Sequence, residues 1–578
     1  SVDFNRAGTL TVSGGIGGTG SVTNDGAGTV ILDGNNTYAG GTTINAGTLQ
    51  LGTGGASGAI NGNSFIVNNG TLIFNTTTPI TISGYLNDIS GTGNVIVRTG
   101  FVQSIDNNTY TGWTEIDSGA TFQPSQGQTG GMLTSVITNN GVLKIGSQNI
   151  PATFGISNNI VGAGRVFVDI YNQNAGWVVL AGTNSYTGGT YIGGGGLVIG
   201  DGINSNAGSI IGNIVFTNTT GSSVDTFSQD KMVIFNRPDN FIFTNVIVSA
   251  VSDGSSVANS GSIEQSGPGM VTLTGNNSFP GGTTIDIGMA LQVGDGGTSG
   301  SVGGGNVVDG GTLIFDRSDD VTFNGSIGDN NGSPGALVQS GSGILTLTGM
   351  LTNSGPTTVS NGTVVITGQV APGTVSVGGD LNLEGGTLIP GASGTVVANF
   401  VPGNMNIDSG TIMFTLNKSV ATSNTVFTVT NTAFSYAGSI NITGGTLKLN
   451  NAGPALNVGD KFTLFNLGYD GQITGAGNLT FVTPGFTVDT ANLGVDGSVT
   501  VTSVTAVTPP TITATITGGS LNLSWPAAST GAQLQVQTNS LATGLGTNWV
   551  SIPGTETSNS YSVTLDKTSG SVFYRLVQ

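Results

Sequence analysis

Three arginines stand in the same short run, Phe4-Asn5-Arg6, Phe235-Asn236-Arg237 and Phe315-Asp316-Arg317, and two carboxylates, Asp319-Asp320, follow the third. Paired acids beside a cleft can serve a glycosidase or hold Ca²⁺ through hard oxygen ligands, and an arginine can act as the base of a polysaccharide lyase. Each reading has a plainer competitor. Neighbours in a strand point to opposite faces, so Asp319 and Asp320 are poorly placed to share a substrate, and the equivalent pair in the second run, Asp239-Asn240, keeps one acid. Arg6, Arg237 and Arg317 recur at equivalent places, which predicts a structural role, pairing with turn carbonyls or a nearby carboxylate. Four aromatics, Tyr38, Tyr110, Tyr186 and Phe279, recur as well. They could stack sugars, but their equivalence predicts packing where a loop folds over the chain beneath.

Most other catalytic equipment is missing. The 578 residues include no Cys and no His, which removes disulfides, thiolates and the commonest general base and metal ligand. No enzymatic activity, cofactor or metal is expected. Glycine-rich runs at Gly193 and Gly294 lack the strand-then-helix setting of a phosphate loop and are expected to be turns. The net charge is −18, with only 12 basic residues scattered singly, so no basic stripe follows a phosphate backbone and nucleic acid is excluded as a partner. No apolar stretch is long enough to cross a bilayer, and no membrane insertion is expected. The texture is that of an extracellular or cell-surface chain after removal of an export signal.

These residues sit on a repeating frame. Glycine numbers 100, charged residues make 7% and hydrophobic residues 36%, so a core can form without a charged surface. The stretch "GTVILDGNNTYAGGTTINAGTLQLG" from Gly28 to Gly52 returns as "SIDNNTYTGWTEIDSGATF", "WVVLAGTNSYTGGTYIGGGGLVIG", "MVTLTGNNSFPGGTTIDIGMALQVG" and "ILTLTGMLTNSGPTTVSNGTVVITG". Between the copies lies a second block, with "GTLIFN" at Gly70, "GVLKIG" at Gly141, "MVIFNR" at Met232 and "GTLIFDR" at Gly311. The opening "SVDFNRAGTLTVSG" aligns with this second block, so the chain starts within its own unit. Short β-branched runs between Gly/Asn/Thr clusters are strands and turns. A period of about 75 residues then suits a β-solenoid of about three coils per unit, and residues 1–507 would stack on the order of 20 coils spaced about 4.8 Å apart, a rod roughly 100 Å long.

The Gly28–Gly52 stretch and its copies resemble the autotransporter-associated β-strand repeat of bacterial surface passenger domains. That resemblance implies a right-handed parallel β-helix. "LNVGDKFTLFN" at Leu456, with "GQITGAGNLTFV" and "LGVDGSVTV" after it, is similar to the segment that often closes such regions. Within the 578 residues no translocator barrel is expected after it.

After a Pro linker at 508–510, alternating strands over 511–578 predict a small antiparallel β-sandwich, with Trp525, Trp549 and Tyr574 at places that resemble the core of fibronectin type III or immunoglobulin-like domains. The whole chain therefore reads as all-β. Its leading expected function is structural: an extracellular filament subunit that associates head to tail with copies of itself, because a solenoid end offers unpaired N–H and C=O groups. Ser1, Val2, Asp3 and Phe4 would dock on the C-terminal region, where Trp525, Trp549 and Tyr574 lie. A surface adhesin binding a cell-surface glycan or matrix is the second reading, and a carbohydrate-active enzyme a distant third.

Overall fold

The computed structural model describes the chain except residues 62–64, 84–87, 106–107, 125–134, 148–153, 171–175, 218–230, 251–260, 370–373, 378, 393, 398, 402, 421, 432–435, 468–470, 506–510, 527–531, 540–544, 547, 565–570 and 578. The expected linker at 508–510 lies outside the described residues. Two compact units form, one from Ser1–Leu388 with Val401–Asn406, the other from Ile389–Phe400 with Ile407–Gln578.

In the first unit, short strands alternate inward and outward side chains, and parallel pairing carries each inward residue over its equivalent one coil on. Val2–Phe4, Val22–Asn24, Thr42–Ile44, Ile66–Asn68 and Ile89–Ser90 make the first sheet. Val22, Thr42, Ile66 and Ile89 thus stack in one buried column. Bonds between coils recur at separations of 20 to 24 residues, the expected coil length. They widen to 33 and 35 between Ile210–Asn213 and Asn245–Val246, inside the stretch that separates Tyr186 from Phe279. This is the parallel β-helix the repeats predict.

The sheets do not run the length of the unit in parallel with one another. A second sheet starts at Leu10–Val12 and ends at Ile160–Val161; a third runs from Ile80–Ile82 to Ile247–Ser249; a fourth from Phe154–Ile156 to Leu351–Thr352; and a fifth opens at Phe241–Phe243. Each begins several coils before an earlier one ends. The strands that follow the repeated aromatics climb this series one sheet at a time. Thr42–Ile44 is in the first sheet, Thr114–Ile116 in the second, Thr190–Gly194 in the third, Thr283–Ile285 in the fourth, and Thr357–Val359, after the fifth copy, in the fifth. One unit of the repeat therefore moves the loop on to the next face.

Close approach of coils requires glycine at particular corners. At Gly47, φ is +63°, and a Cβ there would lie 2.3 Å from the carbonyl oxygen of Gly28 in the preceding coil, a contact only glycine avoids. The run at Gly193 departs from the expectation of a turn. Thr190–Gly194 and Gly196–Ile199 are both strands, and only Gly195, at φ +72°, turns between them. Gly196 stays a glycine for another reason: a Cβ there would run into the Trp177 ring.

The second unit contains the parallel ladder Thr411–Leu416, Thr446–Asn451 and Thr480–Val482. Lys461–Thr463, Ser498–Val504 and Phe486–Asp489 then pair antiparallel. Two three-stranded antiparallel sheets follow, Thr513–Thr517 with Ser520–Ser524 and Ser560–Thr564, and Val550–Ser551 with Gln533–Asn539 and Ser571–Val577. Leu523, Trp525 and Leu534 form their shared core, with Tyr561, Tyr574 and Leu576 packed against it.

Candidate functional site

The repeated residues face inward. Tyr38, Tyr110, Tyr186 and Phe279 are at most 2% exposed, on loops that belong to four different faces, so they form no common sugar platform. Each tyrosine hydroxyl meets the hydroxyl of the threonine four residues on, at 2.7 Å for Tyr38–Thr42, 2.6 Å for Tyr110–Thr114 and 2.5 Å for Tyr186–Thr190. Burial pushes all three phenols above their ordinary pKa, against the opposing pull of the threonine bond. Where phenylalanine replaces tyrosine, Thr283 Oγ1 donates to the Val302 carbonyl at 3.0 Å instead. In the fifth copy Asn353 takes the aromatic position, and Thr357 Oγ1 has no hydrogen-bond partner among the described residues.

A second set of repeated side chains carried no assignment in the sequence. Two residues before each of the first four aromatics stands a buried asparagine: Asn36, Asn108, Asn184 and Asn277. Asn36 Oδ1 accepts the Ile16 N–H at 3.0 Å from the coil before, while Nδ2 donates to the Ala59 carbonyl at 3.2 Å in the coil after. Asn184 and Asn277 accept from Ile160 and Ile247 in the same way. The signal was present in "NNTY", "TNSY" and "NNSF", since a buried amide at a fixed offset must satisfy several backbone groups.

Arg237 and Arg317 form planar forks with the aspartate two residues on. Arg237 Nε and Nη2 reach Asp239 at 3.2 and 2.6 Å, and Nη1 donates to the Ala207 carbonyl at 2.9 Å. Arg317 holds Asp319 at 2.8 and 2.7 Å and the Gly300 carbonyl at 2.5 Å. The guanidinium keeps each carboxyl below its usual range. Asp320 Oδ1 and Asn240 Oδ1 accept amides of the next coil, from Ile344 and Met270. Arg6 has Gly8 where the other copies have aspartate, and forms no ion pair among the described residues.

Of the residues expected at a subunit contact, Ser1, Val2 and Asp3 are exposed and Phe4 half-buried. Trp549 lies under Arg575, whose guanidinium carbon is 4.4 Å from the ring centroid. Tyr574 is half-buried. Trp525 is 4% exposed, which corrects its placement at a surface: the ring is enclosed by its own domain.

The groups best placed to meet a ligand are on the outward face of the third sheet, and no sequence signal had singled them out. In Arg165–Ile170, Val166 and Val168 point inward and are fully buried, so Arg165 and Phe167 point out. Register sets Phe167 opposite Tyr191 and Lys144 opposite Phe167. The Phe167 and Tyr191 rings are parallel within 7°, with centroids 6.2 Å apart, and both are half-buried. The Arg165 guanidinium carbon lies 5.3 Å from the Tyr191 centroid. Gly189, opposite Arg165 in register, is at φ +83°, and its missing side chain leaves room beside the Tyr191 ring. Lys144 Nζ is 2.8 Å from Asp169 Oδ2, a carboxylate whose side chain is 1% exposed. Among the described residues no three metal-ligating side chains converge.

A parallel β-helix built from this repeat and bearing an outward aromatic pair defines a class. The family model of the passenger-associated-transport-repeat matches residues 22–51, 106–123, 173–199, 263–293 and 337–366. The chain thus carries five stretches similar to the passenger-associated-transport-repeat, and repeats of this type imply a secreted or cell-surface location. No curated protein matches it in sequence. Among solved structures it is similar to the crystal structure of the Haemophilus influenzae Hap adhesin, at 12% identity and a TM-score of 0.23, over 84% of this chain and 64% of that one. So loose a superposition says nothing of function.

Proposed function

We propose that the protein is a cell-surface adhesin, displayed after removal of an export signal, that holds a glycan on the outward face of its β-helix. The parallel Phe167 and Tyr191 rings carry this reading. Aromatic rings that face solvent from a rigid sheet are apolar surface held at a fixed spacing, which suits the C–H faces of sugar rings. Binding rather than catalysis is supported by the engagement of Asp319 with Arg317 and of Asp320 with the Ile344 amide of the next coil. The test is binding of the purified chain to immobilised glycans, alongside Phe167→Ala and Tyr191→Ala. Both side chains point away from the core, so the variants fold, and each lowers retention at least tenfold. Retention equal to wild type in both would sink this site.

Head-to-tail association with a second copy is a further reading, favoured by one observation. Val2–Phe4 pairs with Val22–Asn24 on one side and with no described strand on the other, and Val2 is 37% exposed. Such an edge accepts another strand. Electron microscopy checks it: fibres that shorten when residues 1–11 are deleted support it, and dispersed monomers at every concentration refute it.

A further inference from the structure

We propose that the outward site on the third sheet selects acidic sugars, with the Arg165 guanidinium receiving the sugar carboxylate while the Tyr191 and Phe167 rings carry its apolar face. The inference rests on the glycan-binding reading and gives that site its substrate class.

Charge is scarce in this chain, and six of the 12 basic residues already hold an anion. Arg98, Lys144, Arg237, Arg317, Lys418 and Lys461 each hold an aspartate within 3.4 Å. Arg165 is exposed and pairs with no carboxylate among the described residues; its contact is the Tyr191 ring. A guanidinium over an aromatic ring keeps its planar edge of N–H donors free, and that edge matches the two oxygens of a carboxylate. Its position is fixed from below. Val166 and Val168 anchor the strand in the core, and the carbonyl of Arg165 accepts from the buried Asn139 Nδ2 at 2.9 Å. The ligand therefore meets an arginine on a rigid strand, next to two rings held in register, with Gly189 leaving the approach open.

The rest of the field sharpens the choice. With Lys144 neutralised by Asp169, the site offers one uncompensated positive charge on a protein of net charge −18. At moderate ionic strength the distant acids are screened, and a sugar carboxylate is drawn to this point at short range. A planar carboxylate also fits the fork better than a tetrahedral sulfate does. A uronic-acid residue thus matches both halves of the site.

The test uses the full chain and three polymers: polygalacturonate, dextran sulfate and unmodified dextran. Wild type binds polygalacturonate more tightly than dextran, and added salt weakens that binding. Arg165→Gln, which keeps the length of the side chain and leaves the rings in place, lowers polygalacturonate affinity about tenfold or more, on the order of 1.4 kcal/mol, and leaves the weak dextran binding unchanged. Arg165→Lys restores part of the loss. Its thermal midpoint serves as a folding control, since the side chain is exposed. If Arg165→Gln binds polygalacturonate as wild type does while Tyr191→Ala does not, the acidic-sugar assignment is overturned and the glycan reading survives. If neither substitution matters, both fall. Dextran sulfate binding tighter than polygalacturonate would overturn the carboxylate in favour of sulfate.

Discussion

Asp309 shows how much one atom of difference matters inside the stack. Its side chain is fully buried; Oδ1 accepts the Gly311 N–H at 2.8 Å, and Oδ2 has no hydrogen-bond partner among the described residues. Burial chiefly, with the Asp329 charge adding to it and the Gly311 bond opposing, pushes its pKa up to about 6. The folded state therefore binds this proton more tightly than the unfolded chain does. The resulting stabilisation is complete below the unfolded value near 3.8 and is lost as pH rises through about 6, a change of about 3 kcal/mol. Asparagine stands in the equivalent place elsewhere: Asn68 and Asn139 donate Nδ2 to the carbonyls of Asn94 and Arg165, at 2.8 and 2.9 Å. Asp309→Asn should accordingly raise stability at pH 7 and flatten its fall between pH 4 and 7. Denaturant melts of both proteins across that range measure it, and an unchanged pH profile would count against the buried carboxylate.

Within an element, the loop that carries each of the three tyrosines is closed by a pair of hydroxyls. Tyr186→Phe removes one partner of the fully buried Thr190 hydroxyl, at a cost of about 1–3 kcal/mol. Adding Thr190→Val should recover part of that loss, and a double-mutant cycle read by thermal melts gives the coupling. Additive single costs would show that the hydroxyls do not act as a pair. The sequence displayed the recurrence of Tyr38, Tyr110, Tyr186 and Phe279 and the strand-and-turn rhythm around them, because period and turn chemistry are local. It could not display which face each copy occupies, since that depends on coil lengths accumulated over a whole unit. For the same reason Phe167 and Tyr191 looked unrelated: they lie in different blocks, and only the register of Val166 against Thr190 sets them side by side. Asp309 hid differently, as one acid at the end of the strand Val307–Asp309, ahead of two glycines, whose burial no spacing reveals.

For the molecule as a whole, 30 acidic residues face 12 basic ones, and among the described residues six aspartates, Asp117, Asp169, Asp239, Asp319, Asp460 and Asp496, are drawn into local pairs with Arg98, Lys144, Arg237, Arg317, Lys418 and Lys461. Long-range repulsion among the remaining acids opposes compaction, while the backbone ladders and the buried columns are indifferent to salt. Raising NaCl from about 0.05 to about 0.5 M shortens the reach of that repulsion from well over 10 Å to a few ångströms, so the melting temperature should rise slightly. A clear fall on adding salt would mean that exposed ion pairs outweigh the net charge.

The overlapping starts and ends of the sheets in the first unit have a mechanical meaning. A stack whose sheets all stopped at one level would have a seam there, and a pull along the axis would open it. Here the level at which one sheet stops is bridged by others that continue, as courses of brick are laid across the joints below. Tearing the stack at any coil must break intact backbone pairing on at least one face. A surface protein exposed to flow gains toughness in this way from where its loops fall, without a single cross-link.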